Sequence, residues 1–118
     1  MLPKTRRVSR NLFKSFNAKG NVFYGNFFNL NLIPLSDNKV LSKKSLFAVP
    51  VSKKIEASAV IRNKIRRRTY SVIEKNLKNI KEGYVFIFYP KKTIKNQNFS
   101  DYLSDIELLL KKSKTLTE

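Results

Sequence analysis

The segment that follows Ser58 constrains the fold more than any other part of the chain. Ser58 is a residue type that caps helix N-termini, and Gly83 is a residue type at which helices commonly end. Between them, the apolar residues fall within one arc when each residue advances by about 100°. The members of this arc are Ile61, Ile65, Val72, Ile73, Leu77 and Ile80, with Thr69 among them. The pattern predicts a long helix that begins after Ser58, ends at Gly83 and packs one face on a sheet.

The chain after Gly83 predicts a strand and a final helix. Tyr84 to Tyr89 is an unbroken run of apolar and aromatic residues, which is typical of a strand covered on both faces. Helical spacing then relates four further apolar residues, Phe99, Leu103, Ile106 and Leu110. We therefore expect a buried strand followed by a C-terminal helix.

The first half of the chain predicts a short helix and several strands. Ser9 can cap a helix over about residues 10–18, which Gly20 would end. Strands are predicted over residues 26–33 and about residues 45–51, and Pro50 places the second at a sheet edge or ends it there. Val40 and Leu41 give a weak signal for an intervening strand. The order of elements indicates an α+β sandwich of one sheet with helices.

The length of the chain allows one domain. A chain of 118 residues with 42% apolar composition can bury a single hydrophobic core. We therefore expect one domain over residues 1–118, with flexible ends at residues 1–8 and 113–118.

Basic residues greatly outnumber acidic ones. The chain has 25 Lys+Arg against 8 Asp+Glu, which gives a formal net charge of +17. Asp37 is the only acidic residue before Glu56, whereas residues 52–68 contain seven basic residues and one acidic residue. A charge of this size destabilises a compact chain by self-repulsion. Its uneven placement predicts a basic face for a polyanionic partner, the alternative being a merely solvated basic surface.

The residues that are missing exclude several classes of chemistry. The chain contains neither Cys nor His, so disulfides, Cys/His zinc sites, thiol nucleophiles and histidine acid–base catalysis are excluded. Asp101, Asp105 and Glu107 are close in sequence, but we expect them on the exposed side of the last helix, where they would be solvated. The protein alone is therefore not expected to bind a metal or to catalyse hydrolysis. Its apolar runs are too short to cross a bilayer, and no secretory signal is recognised, which predicts a soluble cytoplasmic protein.

The basic residues concentrate at the start of the helix that follows Ser58. Arg62, Asn63, Lys64, Arg66, Arg67 and Arg68 surround much of its first turns. Cations near a helix N-terminus oppose the macrodipole, at roughly 0.3–1 kcal/mol each. A locally unfavourable choice that is repeated this often indicates a function, and arginine forks suit phosphate groups.

The same stretch resembles the signature of the bacterial ribonuclease P protein subunit. The residues that carry the resemblance are Ser52-Lys53-Lys54-Ile55 and Ala59-Val60-Ile61-Arg62-Asn63-Lys64-Ile65-Arg66-Arg67. The similarity in element order extends over about residues 7–112. Lys64 stands where the family usually has a second Arg, and Glu56-Ala57-Ser58 replaces a shorter link that contains Gly. In the first helix, Asn17 follows Phe16 where the family has a second aromatic residue one turn after Phe13.

The resemblance implies a fold and a division of labour. The fold is an αβββαβα two-layer sandwich, ribosomal-protein-S5-domain-2-like, with a left-handed βαβ crossover. Members of the family join a catalytic RNA, and the holoenzyme removes the 5′ leader of precursor tRNA. Mg²⁺ is held mainly by the RNA, so the protein would contribute no catalytic residue and bind no metal alone. The implied partners are the catalytic RNA and precursor tRNA, with neither DNA nor a membrane expected.

The resemblance also assigns residues to the two RNAs. The catalytic RNA would be bound by Ser52, Lys53, Lys54, Arg62, Asn63, Lys64, Arg66, Arg67 and Arg68. The leader would lie in a cleft between the first helix and the sheet, where Phe13, Phe16 and Phe27 would stack on its bases.

Two other nucleic-acid-binding classes share the charge and the size. A ribosomal-type structural RNA-binding protein is the alternative function, but it has no need of the ordered Ser-Lys-Lys and Arg-Asn arrangement together with an aromatic cleft. A DNA-architectural protein is a third possibility, but the chain lacks a recognition helix with its own turn motif.

Overall fold

Four strands and two α-helices make up most of the computed structural model, which describes residues 2–8, 20–35 and 44–117. The elements are β1 (Asn21–Tyr24), β2 (Phe28–Pro34), β3 (Leu46–Ala48), α1 (Ala59–Asn76), β4 (Tyr84–Pro90) and α2 (Phe99–Lys112). Short 3₁₀ turns lie at Lys4–Arg6, Leu77–Asn79 and Lys92–Ile94. The mixed sheet and its helices confirm the predicted α+β class.

The sheet has the strand order β1-β2-β4-β3. β1 and β2 form an antiparallel hairpin, and β2 continues antiparallel to β4 from the Phe28↔Pro90 pair to the Pro34↔Tyr84 pair. β3 pairs with β4 in parallel, from Leu46↔Val85 to Ala48↔Ile87. Parallel neighbours need a crossover connection, and α1 provides it. The left-handedness of this crossover stays a prediction.

β4 is buried on both faces, as its apolar run predicts. Phe86 and Phe88 are fully buried on the face that packs against the helices, where Phe28 meets Phe88 edge to face at 6.4 Å between ring centroids. Val85 and Ile87 are buried on the opposite face, in a cluster with Ile33, Leu35, Leu46 and Ala48. Since each face excludes water, neither set of alternate residues needs to be polar.

The two helices pack on the first of these faces. α1 buries Ile65, Thr69, Val72 and Ile73, and α2 buries Tyr102, Ile106, Leu109 and Leu110. The arc predicted for α1 is therefore confirmed in its centre. Its first member differs, because Ile61 is 44% exposed one turn before the buried stretch begins.

The helix after Ser58 is shorter than predicted. Ser58 is its N-cap, and the Ser58 hydroxyl oxygen accepts a hydrogen bond from the Ile61 N–H. The helix ends at Asn76, however, and the Leu77–Asn79 turn leads to the buried Ile80. Gly83 has φ 97°, a left-handed conformation that glycine adopts readily, and it starts the turn into β4 instead of ending the helix.

The described residues at both ends make defined contacts, and the flexibility expected at residues 1–8 and 113–118 stays a prediction. Leu2 is 1% exposed, and the Arg6 guanidinium donates two hydrogen bonds to the Glu82 carboxylate at 3.0 and 2.8 Å. The Val8 N–H donates to the Phe47 carbonyl at 2.9 Å, beside the edge of β3. Near the other end, Thr115 is 1% exposed and the next residue forms an isolated bridge with Ile80.

One strand was missed by the sequence analysis, and two predicted elements fall on residues that the structure does not describe. β1 is short, and three of its four residues are exposed, so its sequence lacks apolar alternation. The helix predicted over residues 10–18 and the weak strand signal at Val40 and Leu41 lie outside the described residues.

Candidate nucleic-acid interface

A tight turn presents the Ser-Lys-Lys segment between β3 and α1. The Ser52 carbonyl accepts hydrogen bonds from the N–H groups of Ile55 and Glu56, at 3.1 and 3.2 Å. Val51 is buried just before this turn, whereas Ser52, Lys53 and Lys54 are exposed. The buried residue anchors the turn, so these side chains point away from the core.

The link from this turn into α1 is held by its own hydrogen bonds. Glu56 accepts one from the Ser58 N–H at 3.2 Å and pairs with the Lys95 ammonium at 3.4 Å. The Arg62 guanidinium donates to the carbonyls of Glu56 and Ala57, at 3.0 and 2.7 Å. The hydrogen bond from Ser58, with the charges of Lys95 and Arg62, lowers the pKa of the Glu56 carboxyl. The Glu56-Ala57-Ser58 link therefore has a defined geometry without glycine.

The basic side chains of α1 fall into two groups. Arg62 holds the preceding link, and Arg68 donates to the Gln97 carbonyl at 3.2 Å while its guanidinium lies 5.7 Å from the centre of the Tyr102 ring. Lys64 and Arg67 are exposed and make no hydrogen bond or ion pair to another described residue. Arg66 donates to the side-chain oxygen of Asn63 at 2.5 Å. Two arginines thus hold the scaffold in addition to any binding role.

We call the cationic side chains Lys53, Lys54, Lys64, Arg66 and Arg67, with Ser52 and Asn63, the basic surface; Arg66 is half-buried and the others are exposed. No acidic residue lies on α1 before Glu74, and the acidic Glu56 is already paired, so nothing described on this surface neutralises it. It unites most of the residues predicted to bind the catalytic RNA.

Of the three residues predicted to bind the leader, the structure describes only Phe27. Phe13 and Phe16 lie outside the described residues. Phe27 is half-buried and packs against the helix-side core, and its N–H donates to Asp105 at 3.0 Å. Its assignment to the leader stays a prediction.

Other aromatic side chains do lie on the sheet face opposite the helices. The register places Tyr24 beside Asn29 and Asn29 beside Tyr89 across three neighbouring strands. Tyr24 is 65% exposed and Tyr89 is 39% exposed. We call these three residues, with the exposed Val22, the aromatic patch. The sequence analysis missed it, although Asn29 and Asn31 alternating with Phe28, Leu30 and Leu32 signalled one polar-lined face.

Asp105 is not the solvated carboxylate that the sequence analysis expected. It is 2% exposed and accepts hydrogen bonds from three backbone N–H groups, those of Asn26 (2.7 Å), Phe27 (3.0 Å) and Phe28 (2.9 Å). The prediction is wrong because these donors replace water around the buried charge. Asp101 also has a structural part, in the capping box of α2 with Asn98.

Among residues 2–8, 20–35 and 44–117, no three Cys, His, Asp or Glu side chains come together as a metal site. Within the same ranges, no helix has the length and apolar character needed to span a membrane.

Comparison with known proteins agrees with this architecture. The family Ribonuclease P matches residues 2–114. The ribonuclease P protein component of Rickettsia prowazekii is 33% identical over 95 residues, which cover 75% of this chain and 77% of that protein. The corresponding protein of Carboxydothermus hydrogenoformans is 29% identical over 109 residues, 92% of this chain and 90% of that one.

Solved structures show the same fold at lower identity. The RNase P protein of Staphylococcus aureus has a TM-score of 0.80 at 22% identity, over 97% of this chain and 100% of that one. The RNase P protein of Thermotoga maritima has a TM-score of 0.66 at 20% identity, over 80% and 84%. The family match spans nearly the whole chain and includes the basic surface. This chain therefore belongs to the ribonuclease P family, as a protein component of that tRNA-processing enzyme.

Proposed function

We propose that this chain binds two RNAs through two chemically different surfaces. The basic surface binds the catalytic RNA of ribonuclease P, and the aromatic patch binds the single-stranded 5′ leader of precursor tRNA. In this proposal the RNA cleaves the leader, and the protein holds the two RNAs in position.

The observation that carries the proposal is a cationic surface with no described acidic counterpart. Lys64 and Arg67 are exposed and unpaired among the described residues, and Lys53 and Lys54 extend from a turn next to the same helix. Phosphate groups are the ligands that such an arrangement favours, because each contact also releases a counterion from the RNA. The N-terminus of α1, which follows the same turn, adds its own positive potential.

The aromatic patch supports the second half of the proposal. Aromatic rings stack on bases at roughly 1–3 kcal/mol per base and tolerate many sequences, which suits a variable leader. Tyr24 and Tyr89 offer exposed rings on one face, with the Asn29 side chain between them. Phe13 and Phe16 stay in the proposal through the family resemblance, whereas Phe27 is less suited because it packs against the core.

Four carboxylates in the described part of the chain favour RNA as the holder of Mg²⁺. Asp105 is surrounded by backbone N–H groups, Asp101 caps a helix, and Glu82 is bound by Arg6. Glu56 is held by Ser58 and Lys95. These carboxylates are dispersed and already occupied, so they do not fit a protein site for magnesium, which prefers several converging oxygen ligands.

Reconstitution with the cognate catalytic RNA tests the proposal. In low magnesium, adding the protein should rescue cleavage of the leader, and a Lys64→Ala/Arg67→Ala variant should require a higher protein concentration. A Lys78→Ala/Lys111→Ala variant has the same loss of charge away from the basic surface and is the matched control. RNA binding without rescue would favour a ribosomal-type structural role instead.

The leader site is tested separately with precursor and mature tRNA. Tyr24→Ala should lower the affinity of the holoenzyme for a precursor by roughly tenfold, because one stacked base is lost. Its affinity for mature tRNA should not change. Leu108→Ala removes a large exposed apolar side chain on α2 and should affect neither ligand. Equal losses for both ligands would remove Tyr24 from the leader site.

A further inference from the structure

A cavity of about 780 Å³ lies between the N-terminal segment and α1. Lys4 and Arg7 line one wall, and Arg66 and Arg67 line the other. The sequence analysis assigned Arg66 and Arg67 to RNA but expected residues 1–8 to be flexible. The structure brings the N-terminal segment to the basic surface, so the interface has a second wall.

The charge of this cavity is of one sign. Its described lining contains four cationic side chains and no acidic one. The Nε atom of Arg7 is also buried without a hydrogen-bond partner, and a buried donor in this state is costly. The Nε atom of the neighbouring Arg6 is unpaired in the same way, but the terminal nitrogens of Arg6 donate two hydrogen bonds to the Glu82 carboxylate. A ligand that carries negative charge would relieve both the repulsion and the unpaired donor.

The wall that carries Arg7 is anchored on both sides. Arg7 forms a parallel bridge with Phe47, and the next N–H, that of Val8, donates to the Phe47 carbonyl at 2.9 Å. On the other side, Arg6 is fixed by Glu82. Because these contacts already order the segment, little conformational entropy remains to be lost when a ligand binds.

Apolar groups complete the lining. Val8 and Val60 lie on the two walls, and Tyr70 is 8% exposed at the base. Burial raises the pKa of the Tyr70 hydroxyl, while a backbone hydrogen bond with Val49 and the charges of Arg7 and Arg66 act in the opposite direction. Arg7 and Arg66 line the same cavity as Tyr70. The cavity combines cations with apolar surface, which matches a phosphate attached to a sugar and a base.

We propose that this cavity holds one nucleotide of the RNA partner, with its phosphate between Arg7 on one wall and Arg66 and Arg67 on the other. Its volume falls within the roughly 300–1,000 Å³ of ordinary ligand pockets, so there is room for more than a phosphate ion. This inference rests on the proposed function in one respect, namely that the partner is an RNA.

The first test uses the catalytic RNA and measures how binding depends on salt. Arg7→Gln should weaken binding by about tenfold and reduce the log–log salt slope by roughly 0.7–0.9, as expected for one lost phosphate contact. Lys78→Gln is the matched control, since it removes one exposed cation beyond the far end of α1. If Arg7→Gln affects binding no more than Lys78→Gln, the inference is wrong, even where the wild-type protein binds RNA normally.

The second test asks whether the two walls share one ligand. Arg7→Gln and Arg67→Gln should be non-additive, because the second replacement acts on a contact that the first has already weakened. Strictly additive losses would contradict a shared nucleotide. Circular dichroism checks the fold of each variant, and Lys4→Gln, an exposed position on the same wall, replaces Arg7→Gln if that variant unfolds.

The third test uses inorganic pyrophosphate and no RNA. Pyrophosphate should raise the melting temperature of the free protein less in Arg7→Gln than in Lys78→Gln. Equal shifts in the two variants would show that pyrophosphate does not bind in this cavity. If the cavity binds pyrophosphate while the wild-type protein does not bind the catalytic RNA, the proposed function and the RNA ligand both fail, and the cavity is a site for a free phosphate compound.

Discussion

At the scale of single residues, the buried acid Asp105 shows why charge alone is a poor guide to function. It is one of few acidic residues in a very basic chain, yet its three partners are backbone N–H groups at the start of β2. Its role is to fix the end of the β1–β2 hairpin against α2.

Replacing Asp105 by Asn should therefore destabilise the fold. An amide group keeps the shape but sets an N–H donor against backbone donors, and we expect a loss of about 2–4 kcal/mol in the free energy of unfolding. Urea denaturation measures it. Glu107→Gln, two residues further along α2 and partly exposed, should cost less than about 0.5 kcal/mol. Similar losses in the two variants would show that the three hydrogen bonds contribute little.

Glu56 gives a prediction about pH. Its pKa is lowered in the folded chain, first by the Ser58 N–H and then by Lys95 and Arg62. The folded state therefore favours the charged carboxylate, so this contribution to stability is present above the unfolded pKa of Glu56. It is lost as the pH falls through the lower, folded pKa. An NMR titration should give Glu56 a pKa below that of a glutamate in an unstructured peptide, and a value at or above that reference would contradict the hydrogen bond.

At the scale of elements, α1 combines two tasks in one run of basic residues. Arg62 and Arg68 fix α1 to its neighbouring loops, whereas Lys64 and Arg67 are exposed. Family motifs treat such residues as one group, but their contacts separate them. Substitutions within α1 should accordingly affect stability and RNA binding in different proportions.

Comparison of Arg62→Ala with Arg67→Ala tests this separation. Arg62→Ala should lower the free energy of unfolding by about 1 kcal/mol, because two backbone carbonyls lose a charged donor. Arg67→Ala should leave stability within about 0.5 kcal/mol and reduce the salt slope of RNA binding by roughly 0.7–0.9. Lys64→Arg, which keeps the charge, should be tolerated in both measurements. Equal loss of stability in the two Ala variants would refute the assignment.

The sequence predicts elements best where a buried pattern is long. The arc of α1 and the apolar run of β4 are confirmed because many residues repeat one period. β1 was missed because four mostly exposed residues carry no such period. Asp105 was misplaced for a similar reason, since its partners lie in another element. The sequence predicts that the cationic side chains of α1 bind RNA. It does not show which of them hold the scaffold, because that depends on where the carbonyls of Glu56, Ala57 and Gln97 lie in space.

At the scale of the whole molecule, the net charge of +17 sets the response to anions. Mutual repulsion opposes the compact state, and an anion bound to organised sites in the native state opposes unfolding. Sulfate or pyrophosphate should therefore raise the melting temperature more than chloride does at equal ionic strength. At a free anion concentration of about 100 times Kd, the gain is about 2.7 kcal/mol, or on the order of 10 °C. Equal shifts for the two kinds of salt would indicate screening alone.

The bond between Arg6 and Glu82 has a consequence for synthesis on the ribosome. The two residues are 76 positions apart, and Asp105 lies 77 positions after Phe28. The N-terminus leaves the ribosome first. Arg6 therefore has no Glu82 partner until the turn before β4 has left the exit tunnel. The contact between the β1–β2 hairpin and Asp105 forms later still, because α2 is synthesised last. Incomplete chains thus lack both the anchored N-terminal wall of the cavity and the hairpin that Asp105 fixes.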